Sequence, residues 1–163
     1  KRMPADRFKI LCSKISQPII FLGGKETVEN GNIIAAADPA KIYNACGRLS
    51  VNGSADVIRR SALVISHDTG LMHIAAAFQK EIVSIWGNTI PEFGMYPYYG
   101  DNHLSADISG RFDIIENLHL RCRPCSKIGY EACPRGHFKC MNDLDLDLIV
   151  DKVERRLEKI YEC

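Results

Sequence analysis

The chain has 163 residues, of which 46% are hydrophobic and 25% are charged, and its formal net charge at pH 7 is +1. This length and composition predict one soluble globular domain with a substantial core, and the balanced charge gives no indication of a nucleic-acid-binding protein. We expect a cytoplasmic protein without a transmembrane segment, because no apolar run approaches the roughly 20 residues that span a bilayer and no signal-peptide pattern is present.

Strands and helices alternate over the first sixty residues. The predicted elements are, in order, a helix after Pro4 with an apolar face of Phe8, Leu11, Cys12 and Ile15, a buried strand over 19–22, a helix over 28–37, a short strand over 42–45 and a helix that ends near Arg60. Asn52 or Ser54 can cap the last helix. Gly31 weakens the second helix by roughly 1 kcal/mol relative to alanine. Gly23 and Gly24 fall short of the glycine fingerprint of dinucleotide-binding folds, so an NAD site gains no support.

The centre of the chain combines a strand, a polar hinge and a helix. The apolar, β-branched run from Ala62 to Ile65 predicts a strand that is buried on both faces, and apolar residues at helical spacing follow from Leu71 to Phe78. In the hinge, Asp68 or Thr69 can cap the helix, and Gly70 lets a ligand approach the backbone. Such a junction suits a phosphate, because it presents unpaired N–H groups and the positive end of a helix dipole.

A second strand, Ile82 to Trp86, ends in a Gly-Asn-Thr loop over 87–89. Alternating strands and helices predict a parallel sheet with crossover helices, in which ligands bind beyond the carboxyl ends of the strands. Both loops therefore open on the same edge of the sheet. The alternative for the hinge is purely structural: its polar residues only cap a helix, and His73 is a core histidine that bonds to backbone.

The alternation of predicted strands and helices is less clear after Phe93. The aromatic loop over 94–100 either lines a pocket for a sugar or base or covers the sheet edge, and a last strand is expected around His103 to Ala106. A C-terminal helix is predicted over 143–161, with an apolar face of Leu144, Leu148, Ile149, Val153, Leu157 and Ile160. Its acidic start and basic later turns match the helix dipole, so we interpret this helix as structural.

Four of the seven cysteines lie in one segment, together with a histidine: Cys122, Cys125, Cys133, His137 and Cys140. The first two are spaced like half of a tetrahedral zinc site, but the spacing of the remainder is irregular. We prefer reduced, partly buried thiols, then a disulfide formed by oxidation, and keep zinc as a further alternative. The odd number of cysteines fits a reducing compartment.

The string from Asp68 to Ala77, Asp-Thr-Gly-Leu-Met-His-Ile-Ala-Ala-Ala, is followed by Trp-Gly-Asn-Thr-Ile-Pro-Glu-Phe at 86–93. The two strings resemble the D-[ST]-G-x-x-H-[IVL]-A-A-A and G-x-T-x-P pattern of glycosyltransferase family 9, the heptosyltransferases of lipopolysaccharide core synthesis. Residues 1–4 and 122–141 match that family less closely. The resemblance implies an α/β fold, a Rossmann-like parallel sheet with helices on both faces, as in the C-terminal half of a GT-B fold. Residues 1–163 would be the donor-binding domain, without its first strand and without the N-terminal acceptor domain.

The resemblance also implies a set of donor-binding residues. They are Lys1 at the donor phosphate, Asp68, Thr69 and Gly70 at the diphosphate and donor sugar, His73 bracing that loop, Glu26 at the ribose hydroxyls and Leu49 at the adenine. The implied reaction transfers a sugar, with inversion, from a nucleotide sugar such as ADP-heptose to a lipopolysaccharide-core or related glycan acceptor. The general base would lie in the missing domain, so no catalytic residue is assigned, and no cofactor or metal is expected. The implied location is the cytoplasm, at the inner face of a bacterial inner membrane.

The chain departs from the family pattern at two positions. Asn88 stands where many members have proline, and His67 where asparagine or another polar residue is common, which puts the identity of the donor sugar in doubt. One rival interpretation is a complete small nucleotide-sugar epimerase or hydrolase, with His67 or His73 as its base. The other is an interaction domain stabilised by zinc at the cysteine segment.

Overall fold

The computed structural model describes residues 2–100 and 110–162. The helices are α1 (Ala5–Lys14), α2 (Val28–Ala35), α3 (Val51–Arg60), α4 (Gly70–Ala77), α5 (Lys139–Asn142) and α6 (Leu146–Tyr161). The strands are β1 (Ile19–Phe21), β2 (Ile42–Asn44), β3 (Leu63–His67), β4 (Glu81–Trp86) and β5 (Phe112–Glu116). Short 3-10 turns lie at Lys25–Thr27 and Pro91–Phe93.

The strands form two parallel sheets. β1 pairs with β2, and β4 lies between β3 and β5, with Ser84 opposite Ser66 on one side and Ile114 on the other. Because every pair is parallel, the carboxyl ends of the strands in each sheet lie at one edge. This arrangement confirms the predicted α/β class.

Helices cover both faces of the three-stranded sheet, as the sequence predicted. Successive residues of β4 point to opposite faces. Val83 and Ile85 pack in a cluster with residues of α1 and α6, whereas Ile82 and Trp86 pack in a cluster with residues of α3 and α4. All four side chains are fully buried, so β4 is the central strand of the core.

β1 and β3 each have a partner on one edge only within the part of the chain that the structure describes. The two strands were predicted to be buried, but Ile20 is half exposed and the first four residues of β3 are only partly buried. The Phe8 ring bridges their ends, 5.3 Å from the Phe21 ring and 5.2 Å from the His67 ring. Side chains at the carboxyl ends of β1 and β3 therefore meet at the Phe8 ring of α1.

α6 begins three residues later than predicted. The Asp145 carboxylate accepts hydrogen bonds from the backbone N–H groups of Asp147 and Leu148 and so caps the helix. Its residue Arg156 is buried and binds the carboxylates of Glu81 and Asp113, near the amino ends of β4 and β5. The helix is therefore fixed to the sheet by both packing and charge, which agrees with a structural role.

Three further predictions need correction or lie outside the structure. Ser50, rather than Asn52 or Ser54, caps α3, since its hydroxyl accepts a hydrogen bond from the Gly53 N–H. The predicted strand at 103–106 lies outside the described residues. β5 was not predicted, because its acidic residues Asp113 and Glu116 obscure the strand pattern. Arg156 neutralises Asp113, and Arg123 neutralises Glu116.

The aromatic loop belongs at least in part to the core. Tyr99 is buried, its ring stacks on Phe112 at 5.9 Å, and its hydroxyl donates a 2.8 Å hydrogen bond to the Lys80 carbonyl. Lys80 precedes β4, so Tyr99 covers the amino end of the sheet rather than a pocket at its carboxyl end. Within the described ranges, no helix is both long and apolar enough to cross a membrane.

Candidate functional site

The loops after β3 and β4 meet at the carboxyl edge of the three-stranded sheet. Asp68 directly follows β3, and Thr89 lies three residues beyond β4. The Thr89 hydroxyl donates a 3.0 Å hydrogen bond to the Asp68 carboxylate. This bond joins the two loops and holds one carboxylate oxygen in place. The sequence predicted that the loops share this edge, but it did not single out Thr89.

The amino end of α4 lies beside this carboxylate. Thr69 has the extended backbone of an N-cap residue, but its side chain makes no capping bond; its hydroxyl instead lies 3.2 Å from the Ser66 hydroxyl. Of the two predicted cap residues, Thr69 therefore stands at the N-cap, but its side chain does not bond to the helix. The Thr69 side chain therefore does not compete with an anion for the N–H groups at the start of α4.

Gly70 begins α4 and is exposed. A Cβ atom built at this position would meet no atom of the protein within 4 Å. Packing of the described residues therefore does not require a glycine here. The space beside the Gly70 Cα is open, so a bound group could approach the backbone at the start of α4, which a phosphate site there would require.

His67 is a structural residue. Its side chain is buried, its ring packs edge-on against Phe8, and its Nε2 accepts a 3.1 Å hydrogen bond from the Met3 N–H. Burial lowers the pKa of the His67 imidazole to about 3, so the ring is neutral at pH 7. A buried ring whose acceptor nitrogen is already occupied is not placed to remove a proton from a substrate. This observation speaks against the epimerase or hydrolase interpretation.

The remaining predicted donor residues lie in different surroundings. Glu26 is exposed in the turn after β1, and Leu49 is 40% exposed in the loop after β2. A 2.9 Å hydrogen bond from the Gly47 N–H to the Gly23 carbonyl brings these two loops together. His73 is exposed on α4, so the structure places it on the surface of that helix rather than in the core. Lys1 lies outside the described residues.

Arg123 is a further residue of this region that the sequence did not reveal. Its side chain is 4% exposed, and its guanidinium group forms a 2.7 Å ion pair with Glu116 at the end of β5. It also donates hydrogen bonds to the backbone carbonyls of Gly87, Thr89 and Asn117. Nothing in the local sequence Cys-Arg-Pro-Cys signals these contacts, since all four acceptors belong to other parts of the chain.

The cysteine segment contains free thiols at Cys122, Cys125, Cys133 and Cys140. The Cys122 sulfur lies 3.9 Å from the His137 Nε2. In the described part of the chain, no three histidine, cysteine or acidic side chains are grouped so that they could hold a metal ion. The geometry therefore gives no support to the zinc-stabilised interpretation.

The thiols differ in their environment. Burial raises the pKa of Cys125 and of Cys140, and neighbouring cysteines add to both shifts. Hydrogen bonds from backbone N–H groups, that of Phe138 foremost, lower the pKa of Cys133. Cys133 is therefore the most readily ionised of these three thiols.

Taken together, the edge of the sheet combines two complementary binding functions. The start of α4 offers N–H donors and a positive dipole end to an anion, while the Asp68 carboxylate can accept hydrogen bonds from hydroxyl groups. An anion held beside a polyhydroxylated group is the chemistry of a sugar phosphate.

The comparisons with known proteins agree with this chemistry. The family model described as glycosyltransferase family 9 (heptosyltransferase) matches residues 1–128. A lipooligosaccharide heptosyltransferase 2 of Campylobacter jejuni is 27% identical over 168 residues, which cover 99% of this chain and 48% of the relative. A protein of the same name from Haemophilus influenzae is 29% identical, over 86% of this chain and 38% of its own length. The chain thus spans about half the length, or less, of these curated relatives.

Two solved structures show the same fold. The ADP-heptose lipopolysaccharide heptosyltransferase II of Escherichia coli aligns with a TM-score of 0.72 at 19% identity, over 98% of this chain and 43% of that chain. A family 9 glycosyltransferase of Veillonella parvula aligns with a TM-score of 0.74 at 22% identity, over 98% of this chain and 42% of that chain.

Proposed function

Because this chain belongs to glycosyltransferase family 9, the heptosyltransferase family, we propose that it forms the donor-binding part of a sugar transferase. The donor would be a nucleotide-diphospho-sugar, ADP-heptose or a close analogue, and the sugar would pass with inversion to a lipopolysaccharide-core or related glycan acceptor. The relatives named as heptosyltransferases motivate this choice of sugar. We place the reaction in the cytoplasm, at the inner face of a bacterial inner membrane.

One observation carries the proposal: the open start of α4 at Gly70 lies next to an Asp68 carboxylate that Thr89 holds in place. Phosphate oxygens would bind the N–H groups of the helix terminus. Asp68 would accept hydrogen bonds from sugar hydroxyls, because its negative charge would repel a phosphate. Glu26 and Leu49, in loops that touch each other, would hold the ribose and the base.

The two open sheet edges support the proposed domain organisation. A further parallel strand would fit between β1 and β3 and join the two sheets into one, as in a Rossmann-like fold. We propose that this strand and an acceptor-binding domain with the general base belong to the same transferase. The described residues would then bind the donor, and transfer would require the acceptor domain.

The test is a calorimetric titration of the protein with ADP, UDP and GDP, repeated with Gly70→Ala and Asp68→Ala. The added methyl group of Gly70→Ala meets no protein atom, so folding should be unaffected while the approach of a phosphate is blocked. We expect ADP to bind more tightly than UDP or GDP. We expect Gly70→Ala to weaken ADP binding at least about tenfold, equivalent to 1.4 kcal/mol.

Two controls make the result specific. Ser61→Ala removes a hydroxyl near the opposite end of β3 and should leave ADP binding unchanged. Asp68→Ala should weaken an ADP-sugar more than it weakens ADP, because Asp68 is assigned to the sugar. Equal ADP affinity in the wild type and Gly70→Ala would show that the helix terminus does not hold the diphosphate.

A further inference from the structure

We propose that Arg123 is a positioning residue for the donor site and that it acts on Asp68 through Thr89. The inference rests on the proposed function, since it assigns a role within that site. Arg123 lies in the cysteine segment, far from Asp68 in the sequence and with no expected contact to a donor. Arg123 would hold the loop after β4 in place, and Thr89 of that loop would hold the Asp68 carboxylate.

The first step is the clamp on the loop after β4. The guanidinium group donates to the carbonyls of Gly87 and Thr89, one on each side of Asn88. A guanidinium group is a rigid plane with five N–H donors, so two carbonyls bound to it are held at a fixed separation. The loop therefore keeps one conformation as long as Arg123 is in place.

The second step leads from the loop to the carboxylate. The carbonyl of Thr89 accepts a 3.0 Å hydrogen bond from Arg123, while the hydroxyl of the same residue donates a 3.0 Å bond to Asp68. Thr89 is 1% exposed. Water therefore cannot easily replace either partner, and a shift of the Thr89 backbone would be passed on to Asp68.

The third step explains how Arg123 itself is held. Glu116 neutralises its charge at 2.7 Å, and the carbonyl of Asn117 accepts a further bond of 2.9 Å. Asn88 links the segment after Arg123 to the same loop. Its backbone carbonyl accepts a 2.9 Å hydrogen bond from the Cys125 N–H, and its side-chain amide donates a 2.8 Å bond to the Tyr130 carbonyl. The segment that carries the cysteines thus forms a support behind the donor loop.

Lysine should not replace Arg123. An ammonium group is a compact charge with three donors, and it cannot span two carbonyls and a carboxylate in one plane. Arg123→Lys therefore keeps the charge opposite Glu116 while removing the clamp. Arg156→Lys is the matched control, because the Arg156 side chain is also largely buried, 10% exposed, and lies between two carboxylates near the opposite end of the same strands.

The experiment has a ligand-free arm and a ligand arm. In the ligand-free arm, hydrogen–deuterium exchange is followed in peptides covering 66–72 and 87–90. We expect exchange in both peptides to rise in Arg123→Lys and to stay at the wild-type rate in Arg156→Lys. Unchanged exchange at 66–72 in Arg123→Lys would overturn the proposal, whether or not any nucleotide binds.

In the ligand arm, ADP affinity is measured for Arg123→Lys, Thr89→Val and the double variant. We expect each single change to weaken binding about tenfold and the double variant to bind no more weakly than the weaker single variant, because both changes break the same path. Additive losses, or an equal loss in Arg156→Lys, would contradict the proposal. A wild-type protein that binds no nucleotide would instead refute the proposed function, and the exchange result would still decide the role of Arg123.

Discussion

Arg156 provides a quantitative test of how α6 is held against the sheet. The guanidinium group contacts the Glu81 carboxylate and, at 2.6 Å, the Asp113 carboxylate, and it donates a 2.9 Å hydrogen bond to the Gly110 carbonyl. The side chains of Arg156 and Glu81 are 10% and 12% exposed. Replacing Arg156 by methionine keeps an unbranched apolar stem but removes the guanidinium group and its positive charge.

The expected loss follows from the burial of the two carboxylates. Removing one partner of a buried ion pair costs about 3–5 kcal/mol, because the remaining charge is left desolvated. Asp113 keeps a second ion pair, with Lys152 at 3.2 Å, and it is more exposed than Glu81. We therefore expect Arg156→Met to lower the free energy of unfolding by about 3 kcal/mol, at the lower end of that range.

Urea unfolding followed by the fluorescence of Trp86 measures this loss, since Trp86 is the single tryptophan and is fully buried. Arg155→Met is the control, because Arg155 is 70% exposed and pairs with Asp151 on the surface; it should cost less than about 0.5 kcal/mol. Adding Glu81→Gln and Asp113→Asn to Arg156→Met should recover part of the loss. A loss no larger than that of Arg155→Met would refute the argument that the buried charges hold α6.

Three further predictions concern stability and the sheet edges. The pKa of His67 is about 3 in the folded protein, whereas its ordinary value is 6.5. The stability that neutral His67 contributes is therefore fully present above pH 6.5 and is lost as the pH falls, by about 2 kcal/mol in the free energy of unfolding between pH 7 and pH 5. This loss should be absent in His67→Gln, and equal losses in both proteins would contradict the argument. Gly31→Ala should destabilise the protein by about 1–3 kcal/mol despite better helix propensity, because its Cβ would lie 2.3 Å from the Asn44 side-chain oxygen. Gly53→Ala, whose Cβ contacts are 3.4 Å or longer, should be neutral or stabilising, and urea unfolding of both variants checks the contrast. Edge amides of β1 and β3 should exchange at least about tenfold more slowly in a version of the protein extended at its amino terminus, and unchanged exchange would show that no further strand pairs with β1 and β3.

Asn44 explains why α2 contains a glycine at position 31, although glycine is unfavourable in a helix. Its amide group donates to the Val28 carbonyl at 3.1 Å and to the Asn32 side chain at 2.7 Å, and its oxygen accepts from the Cys46 N–H at 3.0 Å. The side chain therefore lies against the backbone of α2, where only a glycine leaves room. Propensity alone identified a cost of roughly 1 kcal/mol, but the compensating packing depends on a strand residue that local sequence does not connect to the helix.

The strand, loop and helix that carry Asp68 were predicted correctly because they have local signals. A β-branched run, a polar hinge with glycine and a helical repeat are contiguous between Ala62 and Phe78, so the strand, the loop and the helix could be placed from spacing alone. The hydrogen-bond partner of the Thr69 side chain could not be predicted from spacing. Whether a threonine at an N-cap bonds to its helix or to Ser66 depends on side-chain rotamers, which residue type does not determine.

The residues that sequence reasoning missed owe their roles to long-range contacts. Thr89 meets Asp68 across two strands, and β5 has acidic residues that two distant arginines neutralise. An isolated Phe-Asp-Ile-Ile-Glu segment is too short and too charged to be separated from a loop by periodicity. Its identity as a strand becomes evident only when the partners of both carboxylates are known.

The two buried arginines make the same kind of contact and should have different consequences. Arg156 binds carboxylates near the amino ends of β4 and β5, where Tyr99 also covers the sheet, so its loss should lower stability alone. Arg123 binds a carboxylate and loop carbonyls at the carboxyl ends of the same strands, where ligands of parallel sheets bind. The burial of an arginine therefore does not distinguish a structural role from a functional one in this fold. The position of the arginine along the strands distinguishes the two roles, because only contacts at the carboxyl ends reach the loop that binds Asp68.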